Sequence, residues 1–373
     1  MRIGIDARCL EWQRGGPARY LVNMLKHWPE MTRKHKYVLF FRHNAPNDDF
    51  LRNELFEHAV IRGPWFLKTR RIVEEQLLLP KMLRESKIDL FFTPWYSAPL
   101  MNNGVKTVIG LWDISTTTHP SHYTLLERIS FGYFAPQSSK KAAGILTCSK
   151  FDARQIERYY GIPSEHICVV PYAADDKFTP TDNQGHLDSF RKKYGFPKRY
   201  ILSMGIIITR RNIDVKIDAF SDIYEGYPDV ALVVAGRNAT VPFDDIKKRL
   251  KPLMEKGRAF YLERAPEEDI VDFYRAAWYY ICTSTTDGES LMLKESLKCG
   301  TPAITSPFLM ETVGDNAVLL EDPTDRKQTA EVFRKVLDDL ELRRRYATRG
   351  LNWMKGLSWE KVAGDSLRFL ESL

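Results

Sequence analysis

Short apolar runs alternate with longer stretches of helical periodicity along almost the whole chain. Continuous apolar runs are typical of strands that are buried on both faces, as in parallel sheets covered by helices. In the first half the predicted strands are Arg2–Ile5, Tyr37–Phe41, Leu90–Phe92, Lys106–Leu111, Gly144–Thr147 and Cys168–Val170. In the second half they are Tyr200–Met204, Ala231–Ala235, Phe260–Tyr261, Tyr279–Cys282, Pro302–Thr305 and Ala317–Leu320. This alternation predicts an α/β protein with two doubly wound parallel sheets.

A polar segment, 173–198, separates the two series of strands and helices, and it contains Pro180, Gly185 and Pro197. Segments of this composition are typical of boundaries between domains. We therefore expect a first domain over residues 1–175 and a second over 176–356. The last stretch, 357–373, has apolar residues at helical spacing and predicts a final helix.

The composition is that of a soluble globular protein. The 373 residues are 44% hydrophobic and 28% charged, and no run is long and apolar enough to cross a bilayer. Asp6 and Arg8 interrupt the apolar start, which therefore indicates a first strand and not a signal peptide. The five scattered cysteines form no C-x-x-C motif, which favours reduced thiols in the cytosol over a zinc site.

Positive charge is concentrated in the first half. Residues 1–175 contain 24 Lys/Arg and 17 Asp/Glu, whereas the remainder contains 31 of each. Such a surplus suits an anionic acceptor, a membrane surface or nucleic acid, although a solvated basic face explains it equally well. Nucleic acid is not expected as a partner, because no aromatic and basic recognition module is present.

The segment 287–306, DGESLMLKESLKCGTPAITS, has the strongest chemical signature. Asp287 and a turn of small residues precede a short helix that carries Glu295, and a β-branched run follows. A turn that opens a helix beside a strand directs free N–H groups and the positive end of the helix dipole at one point, which suits a phosphate. Two flanking carboxylates suit a hydroxyl-rich group. A nucleotide sugar combines both features.

Several alternative chemistries lack their motifs. There is no G-x-x-x-x-G-K-[ST], no G-x-G-x-x-G after the first strand, no H-E-x-x-H and no G-x-S-x-G. No D-x-D is present either, so nothing marks a metal-dependent sugar-nucleotide site. We expect neither a metal nor a cofactor.

Three other loops follow predicted strands, at the sheet edge where doubly wound domains bind ligands. They contain Gly15-Gly16-Pro17, Trp112-Asp113, and Gly205 followed by Arg210-Arg211. The arginines are suited to gripping a diphosphate. Each loop also has a simpler interpretation. The glycines could form an ordinary turn, Asp113 could cap a local turn, and the arginines could be ordinary surface residues.

With these features the chain resembles the GT-B fold retaining glycosyltransferases of family 4, also called glycosyl transferases group 1. The resemblance runs nearly end to end and is carried by IGIDARCLEWQRGGPARYLVNML, EEQLLLPKMLRESKIDLFFTPWYSAPL, AAGILTCSKFDARQIERYYGIPSEHICVVPYAADDKF, PEEDIVDFYRAAWYYICTSTTDGESLMLKESLKCGTPAITS and METVGDNAVLLEDP. It implies two Rossmann-like domains facing a cleft, with the C-terminal helix crossing back to the first domain. It also implies domain closure, with hinges near 173–198 and 355–358.

The resemblance also implies roles for individual residues. Glu295 would hold the ribose hydroxyls, Asp287 a hydroxyl of the donor sugar, and Arg211 the diphosphate, in place of the family's usual lysine. Backbone N–H groups at 289–291 would bind sugar or phosphate oxygens, and the base would lie near 261–264. The implied donor-binding residues are Gly16, Gly205, Arg211, Leu262, Asp287, Gly288, Glu289, Ser290, Leu291 and Glu295. The implied catalytic residues are Asp113, Arg210, Arg211 and Asp287, and Glu311 matches an acid after the CGTP strand.

Three departures from the family pattern matter most. Asp287 replaces a glutamate, Gly288-Glu289-Ser290 replaces Gly-Phe-Gly, and Trp112 replaces a histidine that precedes the aspartate. Tryptophan cannot accept a proton, but Trp112 could stack on an acceptor sugar or fill the site.

The implied function is retaining transfer of a hexose from a UDP- or GDP-sugar to a glycan or lipid-linked glycan, as in the biosynthesis of cell-surface polysaccharide or lipopolysaccharide. A catalytically weakened sugar-nucleotide or glycan-binding protein within a biosynthetic complex is the alternative, and a nucleotide-sugar epimerase is a third. We expect a cytoplasmic protein. Residues 65–71, with Lys81, Arg84 and Lys87, suit a peripheral contact with an anionic membrane on its inner face, or equally core aromatics beside a charged helix.

Overall fold

The computed structural model describes residues 1–12, 15–63, 71–101 and 104–373. Two compact units are present: Met1–Tyr172 together with Ser358–Leu373, here called unit 1, and Ala173–Leu357, here called unit 2. Each unit is a parallel sheet with helices on both faces, which confirms the predicted class of two Rossmann-like domains. None of the helices in the described ranges combines the length and the apolarity that crossing a bilayer requires.

Unit 1 contains a seven-stranded sheet with the order β3-β2-β1-β4-β5-β6-β7. Its strands are β1 (Arg2–Asp6), β2 (Lys36–Phe41), β3 (Phe56–Val60), β4 (Leu90–Thr93), β5 (Lys106–Gly110), β6 (Gly144–Thr147) and β7 (Ile167–Val169). The strands β1, β2 and β3 follow one another from the interior of the sheet to one edge. The next strand, β4, lies on the other side of β1, and β5 to β7 continue to the opposite edge. This reversal places a topological switch point between β1 and β4.

Unit 2 contains a six-stranded sheet with the order β10-β9-β8-β11-β12-β13. Its strands are β8 (Arg199–Met204), β9 (Val230–Ala235), β10 (Ala259–Leu262), β11 (Tyr279–Cys282), β12 (Ala303–Thr305) and β13 (Val318–Leu319). Here the switch point lies between β8 and β11. The chain continues from β8 and from β11 to helices on opposite faces of the sheet. A crevice therefore opens at the carboxyl ends of these two strands, where ligands bind in open α/β sheets.

The helices cover both faces of each sheet. In unit 1 they are α1 (Cys9–Trp12), α2 (Gly16–Met31), α3 (Arg71–Val73), α4 (Leu79–Glu85), α5 (Ser115–Thr118), α6 (Leu125–Glu127), α7 (Phe134–Ser139) and α8 (Lys150–Tyr160). In unit 2 they are α9 (Gln184–Tyr194), α10 (Ile213–Ser221), α11 (Ile246–Glu255), α12 (Ile270–Arg275), α13 (Leu291–Lys298), α14 (Met310–Val313), α15 (Arg326–Asp338) and α16 (Leu340–Met354). The last helix, α17 (Trp359–Ser372), belongs to unit 1.

Helix α17 packs against α2 within unit 1. The Tyr20 hydroxyl donates a hydrogen bond of 2.6 Å to Ser366 Oγ, and the Trp28 indole donates one of 3.0 Å to the carbonyl oxygen of Ala363. Both aromatic side chains are fully buried. Because a buried polar atom without a partner is costly, these bonds fix the register of α17 on α2.

One strand was not predicted. β3 pairs with β2 at the edge of the sheet, and most of its residues are exposed or half-buried. Its sequence, FEHAV, includes Glu57 and His58, and such polar side chains disfavour pairing of an edge strand with another chain. An edge strand lacks the continuous apolar run of a central strand, and the pattern therefore missed it.

Candidate functional site

Glycines allow the strand ends of unit 2 to approach closely. Gly205 follows β8 with φ +122°, and a side chain there would clash with Met292 of α13 and come within 2.9 Å of Arg211 Nη1. Gly236 follows β9, and a β-carbon at this position would clash with the carbonyl oxygen of Gly205. The backbone at the carboxyl end of β8 therefore has no room for a β-carbon. The predicted site residue Gly205 lies between Arg211 and the start of α13.

Arg210 and Arg211 converge on Asp287. Arg210 Nε donates to Asp287 Oδ1 over 2.7 Å, and Arg211 Nε lies 3.6 Å from Asp287 Oδ2. Asn212 anchors this turn by donating from Nδ2 to the carbonyl oxygen of Thr283, just after β11. Arg210, Arg211 and Asp287, all predicted site residues, thus form one charged cluster across the β8–β11 crevice.

The cluster determines the charge state of Asp287, whose residue exposure is only 7%. Burial alone would raise the pKa of this carboxyl, but attraction by Arg210 and then Arg211 outweighs burial and holds the pKa below its ordinary value. Asp287 is therefore ionised at neutral pH. An ionised carboxylate beside two guanidinium groups can accept hydrogen bonds from sugar hydroxyls while the arginines face an anion.

Charged side chains occupy the N-terminus of α13. Ser290 caps the helix, since its Oγ accepts from the Leu293 N–H at 3.3 Å. Glu289 Oε1 accepts from the Ser290 N–H at 2.9 Å, and Glu289 Oε2 pairs with Lys294 Nζ at 2.6 Å. In this structure the carboxylate of Glu289 accepts the Ser290 N–H, and the binding of a ligand by the N–H groups at 289–291 remains a prediction.

Glu295 lies on the same helix but in a different environment. It is 2% exposed, and its Oε2 accepts a 2.8 Å hydrogen bond from the Tyr274 hydroxyl of α12. That bond orients the carboxylate. Leu262, at the end of β10, accepts from the Gly236 N–H through its carbonyl oxygen. The carbonyl oxygen of Gly288 accepts from Thr312 Oγ1 at 3.3 Å, which ties the turn before α13 to α14.

In unit 1 the structure places Trp112 in the core. Its exposure is 5%, its indole lies 4.7 Å from the Tyr20 ring and 5.2 Å from the Tyr172 ring, and its Nε1 donates to the carbonyl oxygen of Pro94 at 2.7 Å. A stacking role for Trp112 on an acceptor sugar does not fit this placement, since stacking requires an accessible ring face. The second reading, that the indole fills space, is the one that the structure supports.

Asp113 holds the loop after β5. Its Oδ1 accepts from the Ser115 N–H at 2.9 Å and from the Ser115 hydroxyl, and its Oδ2 accepts from the Tyr96 hydroxyl at 3.2 Å. These bonds form a local turn, the alternative that the sequence left open for Asp113. Gly16 is the first residue of α2, and a β-carbon there would lie 3.4 Å from the Tyr172 ring.

A buried ionic cluster at the end of β1 was not predicted. Arg8 binds both carboxylate oxygens of Asp6 at 2.8 Å, while Arg71 reaches Asp6 at 3.0 Å and Glu75 at 2.8 Å. Burial opposes the charge on Asp6, but the neighbouring arginines lower its pKa well below the ordinary range. The signal in the sequence is a pair of opposite charges, Asp6 and Arg8, at the end of an apolar strand.

The same cluster bears on the predicted membrane segment. Residues 65–70 lie outside the described ranges, so that hypothesis remains a prediction for them. Arg71 is described, and its side chain is 17% exposed and engaged with Asp6 and Glu75. Arg71 is therefore a partner within unit 1 and not an exposed membrane contact.

Comparison with known families decides the assignment of the chain. Residues 14–178 match the family model described as Glycosyltransferase Family 4, and residues 188–353 match the model described as Glycosyl transferases group 1. The chain belongs to glycosyltransferase family 4. The two matches fall on opposite sides of the polar segment around residue 180. The family resemblance predicted from the sequence is confirmed.

Named relatives of this family 4 chain act on sugars. It is 28% identical over 319 residues to O-antigen chain mannosyltransferase B of Escherichia coli, with 81% of each chain covered. It is 26% identical over 224 residues to mannosylfructose-phosphate synthase of Agrobacterium fabrum, which covers 57% of this chain and 49% of that enzyme. The latter match therefore spans about half of the relative's length.

A solved structure confirms the GT-B fold. The structure of HepE from Anabaena in complex with UDP and glucose superposes with a TM-score of 0.76 at 16% identity, covering 100% of this chain and 99% of that chain. At this identity the likeness establishes the fold. Assignment of a donor, an acceptor and individual residue roles then depends on the chemistry of the site.

Proposed function

We propose that this family 4 chain transfers a hexose from a UDP- or GDP-sugar to a glycan or lipid-linked glycan, with retention of configuration. The observation that carries the proposal is the cluster of Arg210, Arg211 and Asp287 at the β8–β11 crevice. Two guanidinium groups suit a diphosphate, and an ionised carboxylate between them suits a sugar hydroxyl. Glu295, oriented by Tyr274, supplies the second carboxylate, for the ribose.

The chemical step in this proposal is departure of the nucleoside diphosphate. Negative charge grows on its leaving oxygen as the bond to the sugar breaks, and preorganised positive charge lowers that barrier. Arg210, Arg211 and the N-terminus of α13 supply the charge without a metal ion. The leaving oxygen can take the proton of the acceptor hydroxyl on the same face of the sugar. A histidine at position 112 is therefore dispensable in this mechanism.

The relatives support the choice of donors for a first test. The mannosyltransferase relative supports a nucleotide-activated mannose, for which we choose GDP-mannose, and the HepE complex with UDP and glucose supports UDP-glucose. Both belong to the UDP- and GDP-hexose class proposed here. The O-antigen chain mannosyltransferase also supports the proposed acceptor from cell-surface polysaccharide or lipopolysaccharide synthesis.

We also propose that unit 1 touches an anionic membrane that carries the acceptor. Four large apolar side chains of the helical segment 125–139 are exposed: Leu125 at 73%, Leu126 at 46%, Ile129 at 49% and Tyr133 at 56%. Unit 1 contains 26 Lys/Arg and 19 Asp/Glu, so its net charge complements anionic lipid. Exposed apolar groups on a positively charged unit suit an interfacial contact at the cytoplasmic face.

Vesicle sedimentation tests the membrane contact. We expect binding to vesicles of phosphatidylcholine with anionic phosphatidylglycerol, and several-fold weaker binding after Leu125→Ser with Ile129→Ser. Phe243→Ser in unit 2, where the side chain is 74% exposed, is the control and should bind like the unmodified protein. Binding that ignores lipid charge and both serine substitutions would count against the contact.

Donor turnover tests the transferase. Purified protein is incubated with GDP-mannose, UDP-glucose and other UDP- or GDP-hexoses, and slow hydrolysis or transfer is followed. Arg211→Ala and Glu295→Ala should each lower turnover by at least about a hundredfold, the size of losing one charged contact in the transition state. Arg334→Ala removes an exposed arginine of α15 and should leave turnover unchanged.

The competing functions give different results in the same assay. Thermal stabilisation by a nucleotide sugar without turnover would identify a binding protein of a biosynthetic complex. Conversion of one nucleotide sugar into its epimer without an acceptor would identify an epimerase. Near-normal turnover in both Arg211→Ala and Glu295→Ala would overturn the proposed site.

A further inference from the structure

Lys216 of α10 is a buried lysine that has no anionic partner among the residues of unit 2. The residue is 3% exposed, and its Nζ donates one long hydrogen bond, of 3.4 Å, to Ser203 Oγ. Across residues 173–357, all of which the structure describes, Lys216 takes part in no ion pair. An ammonium group has three N–H donors, and burying it without a counter-charge costs free energy.

The position of Lys216 explains where a counter-charge would come from. Ser203 is the penultimate residue of β8, so the lysine reaches the carboxyl end of that strand. The neighbouring strand across the switch point is β11, which ends at Cys282. Cys282 Sγ lies 3.5 Å from Ser290 Oγ, the cap of α13. Lys216 thus approaches the β8–β11 crevice from α10, opposite the side from which α13 approaches it.

The charged groups around Lys216 do not neutralise it. Burial lowers the pKa of its ammonium to about 8; the Cys282 sulfur and Asp214 of its own helix oppose this, and Arg211 reinforces it. The helices packed against α10 direct their charges elsewhere, since Arg249 of α11 pairs with Asp218, and Arg326 of α15 with Asp222. The amine is therefore partly unprotonated slightly above neutral pH.

We propose that Lys216 binds the diphosphate of the nucleotide sugar at the base of the β8–β11 crevice, and that its protonation is coupled to binding of the donor and release of the nucleoside diphosphate. This inference rests on the proposed function. A dianionic group at the crevice supplies the missing counter-charge and favours the ammonium form. Lys216 and Arg211 then share the diphosphate. Release of the product returns Lys216 to a site where the charged form is disfavoured.

Calorimetry with UDP and GDP tests the inference. At pH 8, titrations in two buffers with different ionisation enthalpies give the protons taken up per nucleotide. The unmodified protein should take up about half a proton, because a group with a pKa near 8 is about half protonated there. Lys216→Met should take up none and should bind UDP or GDP about tenfold more weakly. Lys216→Arg should restore affinity without proton uptake.

A stability measurement separates this role from a structural one. Lys216→Met exchanges a buried, unpaired amine for an apolar chain of similar length, so its melting temperature should equal or exceed that of the unmodified protein. Lys251→Met, at an exposed lysine of α11 that pairs with Glu255, is the matched control and should change neither affinity nor proton uptake.

The two levels of the proposal fail in different ways. If the unmodified protein binds neither UDP nor GDP, the donor site itself is wrong. If it binds one of them without proton uptake, or if Lys216→Met binds equally well, only the role of Lys216 is overturned. The buffer comparison on the unmodified protein decides the second case even where Lys216→Met fails to fold.

Discussion

Arg210 and Asp287 are joined by an ion pair of 2.7 Å in which the side chains are only 13% and 9% exposed. The pair connects the turn after β8 to the loop after β11, on the two sides of the switch point of unit 2. Because both groups have left bulk water, each depends on the other for compensation of its charge. The proposed donor site is therefore also an element of stability.

Asp287→Asn should destabilise the protein by about 3 kcal/mol, since it leaves buried arginines facing a neutral amide. Urea unfolding measures the change. The control is Asp229→Asn, which breaks a pair with Arg199 in which the aspartate is 56% exposed. Exposed pairs contribute at most about 1 kcal/mol. Equal losses in the two variants would show that burial does not strengthen the Asp287 pair.

The same variant should show a defined pH dependence. The pKa of Asp287 is lowered in the folded state, so its contribution is complete above the ordinary aspartate pKa of about 4 and disappears as pH falls through the folded value. The stability difference between the unmodified protein and Asp287→Asn should therefore be constant from pH 7 to about 5 and shrink below pH 4. A difference that grew on acidification would contradict the assigned charge state.

Glu289→Gln should strengthen binding of UDP or GDP several-fold. In the unmodified protein the Glu289 carboxylate accepts the Ser290 N–H at the helix terminus where an anion would bind, and the substitution removes this negative charge. It should also lower stability, since the buried ion pair between Lys294 and Glu289 is lost. Calorimetry and urea unfolding give the two numbers. Glu289→Gln combined with Lys294→Met should recover stability. Weaker nucleotide binding by Glu289→Gln would instead show that the ligand needs this carboxylate.

Trp112→Phe should cost about 1 to 3 kcal/mol of stability, because the carbonyl oxygen of Pro94 loses its donor and a cavity opens beside Gly110. Its turnover should stay within about threefold of the unmodified protein, since the proposed mechanism places no reacting group on the indole. Trp112→His, the residue usual in the family, should destabilise further. A large fall in turnover of a fully folded Trp112→Phe would assign the indole a direct role.

Trp28→Phe should weaken the attachment of α17 to unit 1. The indole is fully buried and its Nε1 donates to the carbonyl oxygen of Ala363, so the change removes a buried bond and part of a packed side chain. We expect a loss of about 2 kcal/mol in thermal or urea unfolding. Trp353→Phe, at a tryptophan that is 41% exposed, should cost less than half as much. Equal costs would indicate that α17 adds little to unit 1.

The central strands were predictable because they are buried on both faces, and their apolar runs are visible without any neighbour. Edge strand β3 was missed because partial exposure admits charged residues such as Glu57. Helix α10 carried a further signal, since Lys216 stands at helical spacing between Ile213 and Phe220 on an apolar face. A lysine on an apolar helix face can still reach solvent with its amine. Lys216 is a candidate ligand contact only because the structure buries it.

The sequence by itself determined the family, the alternating α/β order and the residues of the turn before α13, because these depend on local patterns and motifs. Tertiary structure decided which side chains meet. Arg210 and Asp287, separated by 77 positions, form one cluster, whereas Trp112 belongs to the core and Glu289 occupies a helix terminus. The physical reason is that burial and pairing of charges depend on strand order, which brings distant segments together at the carboxyl ends of a parallel sheet.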